Sequence, residues 1–147
     1  MYHLYTFEDK RRALSETLRV TKPGGIVFAA YCIQDASIIQ YGFRDWHMNE
    51  IWNKKLLDPA TFKVKSNPAE IFELHRKEDI DELMKEFIVE RLHYAATDLF
   101  TQYMRGTIDA MDDETFNWYL KYHFSICERH DMTGLTNHSL DIFRKMG

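Results

Sequence analysis

The first apolar stripe along the chain predicts an amphipathic helix. Phe7, Leu14 and Leu18 recur at helical spacing, and charged side chains fill the opposite face. Thr6 and Asp9 stand three positions apart at the start of this stripe, which is the spacing of a capping box. In such a box the hydroxyl and the carboxylate accept hydrogen bonds from the free backbone N–H groups. The helix is therefore expected to begin just after Thr6.

A turn and a buried strand follow this helix. Pro23 presets the first corner of a turn in the segment 22–25, and Gly24 supplies the positive φ of the second corner. Residues 26–31 are apolar at every position. A short run of this kind is typical of a central strand that is covered on both faces. Helix, turn and strand together form half of a βαβ unit.

The rest of the chain continues to mix helical and extended patterns. Helices are predicted over residues 35–57 with a break near Gly42, then over 77–87, 98–111 and 112–130. Strands are predicted over 88–95 and 139–145, and a small hairpin over 62–74. The sequence contains no repeat, low-complexity segment or linker. It therefore predicts a helix-rich α/β fold in one domain.

The composition of the chain argues against some classes of binding partner. The chain has 147 residues, 45% hydrophobic and 29% charged, with a net charge of −4 and no block of basic residues. This balance argues against nucleic acid or an anionic membrane as a partner. The longest apolar run, 26–33, is too short to span a bilayer, and residues 1–5 lack the features of a signal peptide. Cys32 and Cys127 form no disulfide framework, so a reducing cytoplasm is expected.

Residues 2–31 resemble the middle of a class I S-adenosylmethionine-dependent methyltransferase. The residues that carry the likeness are Tyr2-His3-Leu4, a helix with Arg19-Val20, then Lys22-Pro23-Gly24-Gly25 and an apolar strand. The resemblance implies an incomplete Rossmann-like sheet that comprises strands five to seven of the family. It implies that the last strand runs antiparallel between the other two, and that segments 34–75 and 97–134 are helical lid insertions.

The same resemblance implies that the half of the domain that binds the cofactor is missing. The family holds S-adenosylmethionine with a glycine-rich loop after its first strand, where backbone N–H groups approach the ligand closely. Gly24-Gly25 precedes a strand instead of following one, and no other glycine-rich loop is present. The whole chain, residues 1–147, is thus expected to be the C-terminal part of one methyltransferase domain, with weak or absent cofactor binding.

The resemblance also implies where the site residues lie. The expected catalytic residues are His3 and Tyr31, the expected cofactor contacts are Tyr2 and Leu4, and the expected contacts to a small-molecule acceptor are Tyr41 and Trp46; no metal is expected. His3 has an alternative role at the start of the first helix. Tyr31 has an equally strong alternative role, packed beneath the lid at the end of its strand. Tyr41, Trp46 and the neighbouring aromatics have an alternative role in the core.

Three other clusters of residues could be taken for functional sites, but each has a simpler explanation. His123, Cys127 and His130 share one helix face at a spacing that suits zinc, but no paired motif accompanies them. The acidic run 112–114 suits the positive end of a helix dipole. The basic run 10–12 is expected to be a solvated helix face.

Two functions from different classes remain compatible with the sequence. The first is methyl transfer to a small-molecule acceptor by the complete domain. The second is a non-catalytic subunit that completes its sheet with a partner. Without the preceding strand, one edge of strand 26–31 presents unpaired N–H and C=O groups, so self-association or pairing with a missing N-terminal half is expected through that edge.

Overall fold

The computed structural model describes all residues from Met1 to Gly147 and has an α/β fold. Its regular elements follow one another along the chain in this order: α1 Phe7–Val20, β1 Ile26–Ile33, α2 Gln34–Ser37 with a π-helical continuation Ile38–Arg44, α3 Met48–Asn53, β2 Leu74–His75, α4 Lys77–Met84, β3 Val89–Ala96, a 3-10 turn Thr101–Tyr103, α5 Arg105–Asp109, α6 Asp113–Ile126, a 3-10 turn Thr133–Leu135 and β4 His138–Lys145. None of the helices combines the length and the apolar character that a bilayer crossing requires.

A four-stranded mixed sheet organises the molecule, with the strand order β2-β1-β4-β3. The last strand, β4, lies between β1 and β3 and runs antiparallel to both, so β1 and β3 are parallel to each other. The short β2 pairs in parallel with the end of β1, opposite Cys32 and Ile33. The coarse prediction of an α/β fold is therefore confirmed, with a mixed sheet.

Side-chain caps set the starts of the two longest helices. The Thr6 hydroxyl accepts from the Asp9 N–H at 3.1 Å, as predicted. The Asp9 carboxylate, however, accepts from the Thr6 hydroxyl instead of a backbone N–H. Asp112 caps α6 in the same way and accepts from the Thr115 N–H at 2.8 Å. The acidic run 112–114 therefore begins a helix, as expected.

The main core lies on one face of the sheet. Val27, Ala29 and Tyr31 of β1 share it with Phe143 of β4. Leu14 of α1 and a set of α4 side chains cover this face, and the α4 set comprises Ile80, Leu83 and Met84. Burying each leucine or isoleucine here contributes about 2 kcal/mol. A smaller cluster, formed by Ala96, Leu99 and Ile126, joins the end of β3 to α6.

The opposite face of β1 is open at its start. Ile26 and Phe28 are 49% and 64% exposed. The prediction that this strand is covered on both faces is therefore wrong for its first half. The reason is that α1 and α4 both pack on the other face, while α6 packs near the far end of β3.

The region between β1 and α4 departs most from the predictions. The hairpin over 62–74 is wrong: only the isolated bridges Leu57–Val64 and Asn67–Ile71 form. Phe62 adopts a left-handed φ of 55°, and the Asp58 carboxylate turns the chain just before it, so no strand can continue there. The alternation that suggested a hairpin reflects a folded loop.

Some helices differ from their predicted extents. The helix predicted with a break near Gly42 instead passes through that residue and ends at Arg44, and a second helix, α3, begins at Met48. Only a 3-10 turn and the short α5 occupy 98–111. Lys10 is buried and pairs with Glu73, so the prediction of a solvated basic run is wrong for that residue.

Candidate functional site

The carboxyl ends of β1 and β3 and the start of β4 lie side by side at one end of the sheet. Together they form a polar recess. Cys32 at the carboxyl end of β1 lies opposite His138 at the start of β4, and Ala96 at the end of β3 lies opposite Ser139. A cavity of about 270 Å³ opens there, which we call the polar cavity. It is lined by Cys32, Ser37, Gln40, Phe72, Asp98, Gln102, Asn137 and His138.

Asp98 is the organising residue of the polar cavity. One of its carboxylate oxygens accepts from the backbone N–H groups of Asn137 and His138, at 2.9 and 3.1 Å, and from the Thr136 hydroxyl. Thr136 in turn accepts from the Leu99 N–H at 3.1 Å. These bonds tie the end of β3 to the start of β4, so the segment before β4 has a defined conformation.

His138 is the second titratable side chain of this group. Its Nδ1 lies 3.4 Å from the remaining carboxylate oxygen of Asp98. Its ring faces the Tyr2 ring, with centroids 6.0 Å apart. Tyr2 is held in place because its carbonyl accepts from the Glu73 N–H at 2.8 Å and its ring packs 6.5 Å from that of Phe72.

Cys32 and Tyr2 are two further titratable groups at this end of the sheet, and burial keeps both of them protonated. Burial raises the pKa of the Cys32 thiol to about 11, so it is not a thiolate at neutral pH. Burial also raises the pKa of Tyr2, and the neighbouring Cys32 and Asp98 add to that rise. His138 and Asp98 are the remaining pair of ionisable side chains at this cavity.

A larger, mostly apolar cavity of about 420 Å³ adjoins the polar one. We call it the apolar cavity, and its apolar lining comes from Ile38, Ile51, Leu56, Leu57, Val64, Ile71, Phe72 and Leu74 together with Tyr41. Four residues line both cavities, namely Ser37, Gln40, Phe72 and Asn137. The Gln40 side-chain amide donates to the Asn137 side-chain oxygen at 3.1 Å at this junction. The two cavities therefore adjoin each other, and we call them together the recess, with an apolar part and a polar end.

Charged side chains at the apolar cavity are neutralised by their neighbours. Lys54 pairs with Glu50 at 3.0 Å and with Glu70 at 2.8 Å. Arg44 pairs with Asp45 at 2.7 Å. The apolar cavity therefore offers no isolated charge to a charged ligand.

The structure brings together only part of the predicted site. Tyr2 packs beside His138, which lines the polar cavity, and Tyr41 lines the apolar cavity, where its ring stacks on His47 at 4.1 Å. His3 is exposed, with its Nδ1 3.3 Å from the Tyr5 hydroxyl, and lines none of the three main cavities. Leu4 lines none of them either.

Tyr31 and Trp46 lie away from the recess. Tyr31 is fully buried in the main core, and its side chain is on the face of β1 that packs against α1 and α4. This placement corresponds to the packing alternative. Trp46 is 89% exposed at a left-handed turn with a φ of 65° and lines no main cavity. Neither residue contacts the polar cavity.

Sequence reasoning did not single out Asp98 and His138, the central pair of the recess. A usable signal was present, since Asp98 follows the strand predicted over 88–95 and His138 precedes the one predicted over 139–145. Ligands in open α/β sheets collect at the carboxyl ends of strands. Applying that rule to β3 as well as to β1 would have identified Asp98, whereas His138 precedes β4 and reaches this end of the sheet only through the antiparallel strand order.

A third cavity, about 290 Å³ in volume, lies beside α1 and α4 and is lined in part by His75. His75 is 2% exposed, and neither ring nitrogen has a hydrogen-bond partner. Its ring meets that of Tyr31 edge-on at 5.1 Å, and the Tyr31 hydroxyl is also unpaired. Burial lowers the pKa of His75 to about 4, and the nearby Lys10 ammonium contributes to that lowering.

The histidines and cysteine of α6 do not form a ligand set. No group of three or more His, Cys, Asp or Glu side chains in the structure is arranged to hold a metal ion. Cys127 donates to the Phe124 carbonyl at 3.6 Å, and His123 is buried beside the Tyr119 ring. These contacts are those of packed helix residues.

Comparison with protein-family models finds no match for the chain. Comparison with curated proteins likewise finds none of significant similarity. The function of the chain is therefore inferred from the recess and from the strand order.

Proposed function

We propose that the complete domain transfers a methyl group from S-adenosylmethionine to a small-molecule acceptor, and that these 147 residues are its C-terminal part. The observation that carries the proposal is the placement of β4, antiparallel between β1 and β3, with a recess at the carboxyl ends of the parallel strands. The methyltransferase resemblance implies this strand arrangement, and open α/β sheets bind ligands at that edge. A reducing, cytoplasmic location is part of the same proposal.

The residues present do not form a complete cofactor site. The polar cavity measures about 270 Å³, just below the range of about 300 to 1,000 Å³ that is usual for small-molecule pockets. No glycine-rich loop lines it. Tyr2 is the one predicted cofactor contact that packs beside a residue of its lining, His138. We therefore expect this chain to bind the cofactor weakly when it is alone.

Methyl transfer requires mainly that the methyl donor and the acceptor be aligned. S-adenosylmethionine, when bound, supplies a methyl group on a sulfonium; the acceptor's nucleophile forms the new bond to the methyl carbon while the sulfur keeps the electron pair of the broken bond. The contribution of this chain is to hold the acceptor in the apolar cavity with its reactive end at the polar cavity. Gln40 and Asn137 lie at the junction, where they orient that end.

The proposal can be tested by NMR with S-adenosylhomocysteine at millimolar concentrations. We expect small, saturable shifts at the backbone amides of Tyr2, Cys32, Asp98 and His138, since the last three line the polar cavity and Tyr2 packs beside His138. Adenosine alone, which lacks the amino-acid part, serves as the control ligand. No shifts at all, or shifts confined to the opposite end of the sheet, would refute the proposal.

A second function is favoured by the free edge of β1. Ile33 donates to Asn137 and Lys145 donates to Gly25, so odd-numbered residues of β1 bond to β4. The N–H and C=O groups of Ile26 and Phe28 therefore point to the other edge, where β2 does not reach. Both side chains are exposed as well. The alternative proposal is thus a subunit that completes its sheet with a strand of another chain.

We expect the isolated chain to self-associate through this edge. Light scattering after size-exclusion chromatography should show a concentration-dependent dimer. Phe28→Lys should shift it to monomer, because charged edge residues oppose strand pairing. Phe124→Lys changes a comparably exposed side chain on α6 and should leave the dimer intact. A wild-type protein that stays monomeric at every attainable concentration would contradict this expectation.

A further inference from the structure

We infer that His138, oriented by Asp98, is the proton acceptor for an uncharged, largely apolar acceptor molecule that carries a single hydroxyl group. This inference rests on the proposed function, because it names the acceptor class and the base of the same recess. It is carried by the Asp98–His138 geometry and by the adjacency of the two cavities.

Asp98 directs the histidine ring. The other carboxylate oxygen of Asp98 is engaged by backbone N–H groups, which fixes the plane of the carboxylate. The oxygen 3.4 Å from Nδ1 of His138 favours the tautomer with the proton on that nitrogen. Nε2 then carries the lone pair that is available to a ligand. A distance of this length is common before a ligand binds and tightens when it does.

The shape of the recess defines the body of the acceptor. The apolar cavity is lined by aliphatic side chains and Tyr41 together with paired charged side chains, and it shares Gln40, Phe72 and Asn137 with the polar cavity. A ligand that fills the apolar part can reach the polar end only with its tip. The acceptor is therefore a compact apolar molecule, such as one ring, with a polar group at one end.

The charged side chains that line the recess indicate which polar group the acceptor carries. Lys54 and Arg44 are both paired with carboxylates, so neither offers a free charge to an anionic ligand. An ammonium group at the tip would have no lone pair for the attack until it lost a proton. A hydroxyl group is neutral, and its proton can pass to Nε2 of His138.

The proton step balances within the site. The O–H bond of the acceptor breaks, the proton moves to Nε2, and the oxygen keeps the electron pair with which it attacks the methyl carbon. The imidazolium that results stands beside the Asp98 carboxylate, which stabilises its positive charge. His138 touches the reacting group and is thus a catalytic residue, whereas Asp98 is a positioning residue.

A chromophoric phenol tests this inference on the chain itself. 4-Nitrophenol is a one-ring molecule with a single hydroxyl group, and its absorption separates the phenol from the phenolate. We expect the bound probe to be about fivefold more ionised than the free probe when the solution is about one pH unit below the probe's own pKa. The measurement is an absorption titration with increasing protein.

Variants of His138 and Asp98 test whether this pair causes the extra ionisation of the probe. His138→Gln should abolish the extra ionisation, and Asp98→Asn, which retains an acceptor for the backbone N–H groups, should reduce it. His93→Gln is the matched control, since His93 pairs with Glu128 at 3.0 Å on the surface outside the cavities. Circular dichroism should show that each variant is folded.

The possible results of these experiments test different parts of the proposal. A probe that binds without extra ionisation, or whose ionisation survives His138→Gln, overturns the role of His138. A probe that does not bind overturns the acceptor class. Failure of S-adenosylhomocysteine to shift the polar cavity would refute methyl transfer, and it leaves the result of the probe titration unchanged.

Discussion

Replacing Arg91 with methionine is expected to lower the free energy of unfolding by about 3 kcal/mol, because the change leaves a buried carboxylate without its partner. Arg91 donates to both oxygens of Asp141, each at 2.8 Å, and its third nitrogen pairs with Asp81. Asp141 is fully buried on β4. Burial raises the pKa of this carboxyl, and the Arg91 guanidinium opposes that rise.

Urea unfolding at neutral pH measures the effect. The double variant Arg91→Met/Asp141→Leu should regain most of the loss, because apolar replacements of a buried ion pair are often tolerated. Arg144→Met is the control, since Arg144 pairs with Glu90 at the surface and is expected to cost below about 1 kcal/mol. Equal losses for Arg91→Met and Arg144→Met would show that the buried pair is not a major contributor to stability.

His75 is expected to make the protein less stable in mild acid. Its pKa is about 4 in the folded protein against 6.5 for the ordinary side chain. Because the folded-state pKa is lowered, the unfolded chain binds the proton first as the pH falls. The stability associated with neutral His75 is therefore full above about pH 6.5 and is lost progressively down to about pH 4, by about 3 kcal/mol in total.

The measurement compares urea unfolding of the wild type and of His75→Leu over that pH range. The difference between the two curves isolates His75, because all other titrating groups are shared. The variant should be at least as stable at neutral pH, since both ring nitrogens of His75 are buried without partners. Parallel curves for the two proteins would show that His75 is accessible to protons in the folded state.

Local patterns predicted the regular elements well where the chain has a strong period. The cap at Thr6, the turn at Gly24 and the buried side of β1 all depend on neighbouring residues and are confirmed. The failed hairpin over 62–74 alternates like a strand, but only its last residue, Leu74, pairs with a strand of the sheet, which a local pattern cannot reveal. Phe62 with its left-handed backbone adds to that failure.

The site was harder to predict because it depends on which strand ends meet. Tyr2 and Tyr41 were placed at the recess through the resemblance, whereas Asp98 and His138 come together only because β4 returns between β1 and β3. They are 40 positions apart in the chain. Tyr31 was predicted to end its strand, but β1 continues to Ile33, and the Tyr31 side chain lies on the core face because adjacent residues of a strand alternate between faces.

The most direct test of the central claim is a calorimetric titration of S-adenosylhomocysteine into two polypeptides. One is the chain of 147 residues, and the other continues it upstream in its own reading frame. We predict micromolar binding by the longer polypeptide and much weaker binding by the shorter one, since the glycine-rich loop would be supplied upstream. The same affinity for both, whether micromolar or undetectable, would contradict the account.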